Sequence, residues 1–146
     1  MVMTLEELER TLPNGLHDGE ISTILVNYVE RRVTMELCAW VSGEIPPNEL
    51  YRKGTLILEG MQFLVIEPPD PRYKFAESAL LWVDVTHERK HLPVFPAISK
   101  VPSDCFVSGF FVREWNSFIW VAARDASLVW TGDVYDRDLE KPKPRS

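Results

Sequence analysis

Apolar and polar positions alternate along most of this chain, and the alternation has the period of a strand. Residues 33–41 put Val33, Met35, Leu37, Ala39 and Val41 on one side and Thr34, Glu36, Cys38 and Trp40 on the other. Such a two-residue period predicts a strand with one face buried. Residues 20–29 before it are rich in β-branched and aromatic types, and Glu30-Arg31-Arg32 is a polar tip between the two runs. Together they predict a hairpin. Thr55–Glu59 and Met61–Glu67 are strand-like around Gly60, which predicts a second hairpin. Further strands are expected over Ala79–Val85, Cys105–Val112, Ser117–Ala123 and Ala126–Trp130, with a turn at Arg113–Asn116.

One segment breaks the pattern toward a helix. Thr4 and Glu7 form a capping-box pair, and Leu5, Leu8 and Leu12 follow at helical spacing until Pro13-Asn14-Gly15. Three leucines make a narrow stripe, suited to lie on a sheet. Ser42–Asn48 and the proline-bearing stretch from His87 to Asp104 read as loops. The expected fold is therefore mainly β: an antiparallel sandwich or partly open barrel of about seven or eight strands, with one short N-terminal helix. Residues 1–132 are assigned to one β-rich domain and the charged 133–146 to a flexible tail. The block from Cys105 to Trp130 is expected at the centre of the sheet.

Composition narrows the partners. The chain has 146 residues, 45% of them hydrophobic and 26% charged, with 16 basic against 22 acidic side chains. The net charge of −6 disfavours a phosphate backbone or an anionic membrane and favours a basic surface. No apolar run reaches the ~20 residues that span a bilayer. The opening residues carry acids where a signal peptide needs a basic start, so a cytoplasmic location is expected. Cys38 and Cys105 sit in apolar runs and are expected as buried, reduced thiols.

Three features carry candidate chemistry. His87-Glu88-Arg89-Lys90-His91 matches the H-E-x-x-H pattern of zinc proteases. That chemistry needs a helix, which brings both histidines to one face. Here a strand precedes the motif and Pro93 and Pro96 follow it, so a solvated loop is expected instead. Leu16-His17-Asp18-Gly19-Glu20 is a compact polar cluster before the first strand. Its bland role is to pin the crossover through backbone hydrogen bonds. Its functional alternative is a small hydrolase or metal-binding enzyme centred on His17, Asp18 and Glu20, with His87 or His91 brought near by folding. Lastly, Phe110, Phe111, Trp115, Phe118, Trp120 and Trp130 crowd the C-terminal strands. Most are expected in the core, while Trp115, at a turn beside Arg113, is the aromatic expected at the surface.

The segment Asn14-Gly15-Leu16-His17-Asp18, followed by Ile21 and Ile24, resembles the Leu-His-Asp-(Ala) opening of several uncharacterised bacterial β-rich families, some of them immunity-protein-like. Gly19 stands where that pattern has Ala. The strand ending in Gly60 and the closing strands from Phe118 to Val129 extend the resemblance over about two-thirds of the chain. It implies a small binding protein and transfers no catalytic residue. The expected function is thus a non-enzymatic protein-binding domain, holding a protein partner or a second copy of itself. Its candidate binding residues are His17, Asp18, Arg113 and Trp115. No catalytic residue, metal ligand or cofactor is assigned, and neither nucleic acid nor membrane is expected as a partner.

Overall fold

The computed structural model describes residues 2–42, 49–72, 81–89, 92 and 100–136. It is mainly β. Among the described residues, nine strands join one antiparallel sheet, accompanied by one short α-helix. The ladder does not close into a barrel, in keeping with the expected sandwich or partly open barrel.

Helix α1 (Leu5–Arg10) forms where the capping box predicts it: the Glu7 N–H donates to Thr4 Oγ1 at 3.1 Å. Its leucines Leu5 and Leu8 are buried. Met3 clips the helix start to the far end of the chain, donating to Asp125 Oδ1 at 2.7 Å and accepting from the Ala126 N–H at 2.8 Å.

The strands are β1 (Gly19–Asn27), β2 (Arg32–Trp40), β3 (Leu50–Glu59), β4 (Phe63–Ile66), β5 (Leu81–Thr86), β6 (Phe106–Val112), β7 (Ser117–Ala123), β8 (Asp125–Trp130) and β9 (Tyr135–Asp136). Their order is β4-β7-β6-β5-β1-β2-β3-β8, with β9 added on β3. The β1–β2 hairpin forms as expected, with Arg31 at a positive φ of 51° in its tip.

Two expectations are corrected by this order. First, β3 and β4 do not form a hairpin. Gly60, at φ 69°, bends the chain so that β3 pairs with β8 while β4 pairs with β7. Arg124 makes the matching bend between β7 and β8, and its N–H donates to the Glu59 carbonyl at 2.9 Å. A Cβ on Gly60 would lie 2.8 Å from Arg124 Cβ, so the two bends are in contact. Second, the C-terminal block is not the centre of the sheet. β5 and β1 hold the middle of the order, β6 and β7 lie toward one end, and β8 is the other end. The aromatic density that suggested a central position has a different cause, described next.

The main core gathers Val33, Met35, Leu56, Phe110, Val121 and others beneath α1. A second, smaller cluster lies on the opposite face of β6, β7 and β4, formed by Phe63, Val107, Trp120 and Ala122. Leu92 and Val101 of the 87–104 stretch, with Phe118, pack against it. Both faces of β7 are therefore apolar, with Leu92 and Val101 packed on the outer one. Gly109 makes room for this arrangement: a Cβ there would stand 2.5 Å from the Trp120 ring.

The segment from Asp133, expected as a solvated tail, contributes β9, and the Tyr135 hydroxyl lies 3.0 Å from Cys38 Sγ. Cys38 and Cys105 are both buried, and neither is in a disulfide. Burial, and then the Asp104 carboxylate, push the Cys105 thiol above its ordinary value, which keeps it protonated at neutral pH. No helix among the described residues is long and apolar enough to cross a membrane.

Candidate functional site

The register of three neighbouring strands assembles a polar cluster that the sequence scatters. In the β1–β5 ladder Gly19 faces Val83, so Asp18, one residue before Gly19, comes beside Asp84. In the β5–β6 ladder Val83 faces Val112, so Arg113, one residue on, comes beside Trp82. The result is a contact network. His17 Nδ1 is 2.6 Å from Asp84 Oδ1, and His17 Nε2 is 3.4 Å from Asp18 Oδ2. Arg113 Nη2 forms an ion pair with Asp18 Oδ1 at 2.8 Å, and its Nε lies 3.8 Å from Asp84 Oδ2.

Local structure holds each member in place. Asn14 Nδ2 donates to the carbonyls of Trp40 and Ser42 at 3.1 and 2.7 Å, fixing the turn after α1. Asp18 sits at φ 55°, a left-handed conformation that aspartate tolerates better than most residues. Its N–H donates to Asp84 Oδ1 at 3.3 Å. The Arg113 guanidinium stacks 5.3 Å from the centroid of the Trp82 ring. Glu114 Oε2 accepts from the Trp82 N–H at 3.0 Å. Beside this network lies an open cleft of about 450 Å³, lined by Asp18, Glu49, Tyr51, Trp82, Arg113 and Glu114.

Three of the four residues singled out from sequence, His17, Asp18 and Arg113, meet in this network. The fourth, Trp115, does not stand free at the surface. It is half-buried against the main core, and its carbonyl accepts from the Asp70 N–H at 2.8 Å. The prominent exposed aromatic is instead Tyr28, 81% exposed in the β1–β2 turn. Glu20 does not complete the cluster with His17 and Asp18. It is buried, and Asp84 takes that place.

His87 is not brought to His17. Its Nδ1 lies 2.8 Å from Ser108 Oγ and its Nε2 2.6 Å from Glu9 Oε1. The other oxygen of Glu9 accepts from the Leu16 N–H at 2.9 Å. This Glu9–His87–Ser108 chain ties α1 to β6, and Ser108 is fully buried, so no substrate reaches its hydroxyl. His87 follows β5 directly and is not on a helix, while His91 lies outside the described residues.

Sequence reasoning missed Asp84, Trp82, Glu49 and the Glu9–His87–Ser108 chain. An aspartate inside the apolar run Leu-Trp-Val-Asp-Val was the available signal for Asp84. No family model, no curated protein and no solved structure matches this chain.

Proposed function

We propose that this chain is a non-enzymatic interaction domain that receives a basic side chain of a protein partner in the cleft beside Trp82. The observation that carries the reading is the lining of that cleft. Asp18, Glu49 and Glu114 bring three carboxylates to it, with the rings of Trp82 and Tyr51, against one guanidinium. That guanidinium is already engaged with Asp18. An entering ammonium or guanidinium meets carboxylates and an aromatic wall together, which favours it over a neutral or acidic group. The net charge of −6 adds a long-range bias in the same direction. An immunity-like role, suggested by the Leu16-His17-Asp18 resemblance, is one form of such binding.

An oligo-arginine peptide titrated into isotopically labelled protein tests this. The expected result is a saturable shift of the Trp82, Tyr51 and Glu114 resonances, weakened by Glu114→Gln and absent with an oligo-glutamate peptide. Shifts spread evenly over the acidic surface, or none at Trp82, would overturn the reading.

A further inference from the structure

The imidazole of His17 lies between two carboxylates, and Arg113 occupies only the far side of each. Asp18 gives Oδ1 to Arg113 and turns Oδ2 to His17. Asp84 gives Oδ2 to Arg113 and turns Oδ1 to His17. One ligand atom from each of His17, Asp18 and Asp84 lies within 4.8 Å of the others. We propose that these three residues bind a divalent transition-metal ion at the rim of the cleft. This goes beyond the interaction reading and does not rest on it.

The donor set is one imidazole nitrogen and two carboxylate oxygens. That mixture suits zinc, manganese, iron or cobalt and is poor for magnesium or calcium, which prefer oxygen alone. Donors bound at about 2.1 Å around one ion stand roughly 3–3.5 Å apart. The 3.4 Å between His17 Nε2 and Asp18 Oδ2 is already such a spacing. Closing the third ligand asks for side-chain rotation only, at groups that solvent partly reaches: the His17 side chain is 62% exposed and that of Asp84 33%. The ion is held by His17 Nε2, the nitrogen nearer Asp18, in its unprotonated form, so any proton there leaves to solvent, and Asp84 swings from Nδ1 toward the ion. Arg113 then serves as an outer partner that orients both carboxylates, as groups behind metal ligands commonly do. With three protein ligands, the remaining coordination positions are left to water.

Titration calorimetry with zinc chloride and, separately, manganese chloride tests the site on the full chain. One saturable site is expected, weakened on the order of tenfold or more by His17→Gln and by Asp84→Asn. Glu114→Gln, in the cleft but outside the ligand set, should leave it unchanged. His17 is exposed, so His17→Gln should stay folded by circular dichroism if Asp84→Asn does not. No saturable heat from either metal would overturn the proposal. So would a site that both variants retain, since the ion would then be held elsewhere on the chain. The two proposals separate cleanly: His17→Gln tests metal without removing a cleft carboxylate, and Glu114→Gln does the reverse.

Discussion

The backbone N–H of Asp18 donates to Oδ1 of Asp84, 66 residues along the chain, at 3.3 Å. The same oxygen faces His17 Nδ1. One carboxylate thus anchors both a residue in an unfavourable backbone conformation and its histidine neighbour. Replacing Asp84 by alanine should lower unfolding free energy by about 1–2 kcal/mol, the loss of a charge-assisted hydrogen bond and a partly exposed ion pair. Urea unfolding monitored by tryptophan fluorescence measures it. A midpoint unchanged from the wild type would show that the turn holds Asp18 without help.

The buried relay makes a second prediction. Ser108 has its hydroxyl against His87, and His87 has its other nitrogen against Glu9. His87→Ala strands a buried hydroxyl and should cost about 1–3 kcal/mol. Ser108→Ala removes the hydroxyl itself, so the double variant should be less destabilised than the sum of the two singles. Additive thermal-unfolding results would show that the two side chains are not coupled.

Gly60 and Gly109 should fail differently when changed to alanine. At Gly60 the cost is backbone strain at positive φ together with crowding of Arg124, on the order of 1–2 kcal/mol. At Gly109 the new methyl would meet a fully buried indole ring at 2.5 Å. Overpacking of that kind costs about 1–3 kcal/mol and should also disturb the environment of Trp120. Near-ultraviolet circular dichroism should therefore change for Gly109→Ala and stay close to the wild type for Gly60→Ala.

Acid should loosen one surface loop. Arg72 beside Asp70, through side-chain and backbone hydrogen bonds, holds that carboxyl well below its ordinary value of 3.8. A depressed carboxylate contributes stability that is complete above its unfolded value and lost as pH falls toward its folded one. The contribution of Asp70 should thus be intact at neutral pH and fade only below about pH 4. Asp70→Asn should narrow the gap between wild type and variant as pH drops from neutral to about 3, measured by urea midpoints. A gap that stays constant over that range would remove Asp70 from the acid response.

Much of the secondary structure was legible because period-two alternation is local. Val33, Met35, Leu37 and Ala39 are buried as the alternation predicts, while on the other face only Glu36 is exposed and Cys38 is buried as well. The sheet order was not legible, because a glycine between two strand-like runs reads the same whether it closes a hairpin or turns a corner. Gly60 does the second, and only its contact with Arg124 reveals it. The site was half legible for a related reason. His17 and Asp18 are adjacent and polar, so they drew notice, but Asp84 joins them only through the β1–β5 register. Trp115 misled because a turn position does not fix exposure: it packs against the main core.

The clip between Met3 and the start of β8 spans 122 residues. A chain leaving the ribosome exposes Leu5 and Leu8 well before the strand edge that receives their helix is made. Contacts of such sequence separation form late and slow folding. Until β8 emerges, the helix has no lasting berth, and the nascent chain carries an uncovered apolar stripe of the kind that chaperones hold.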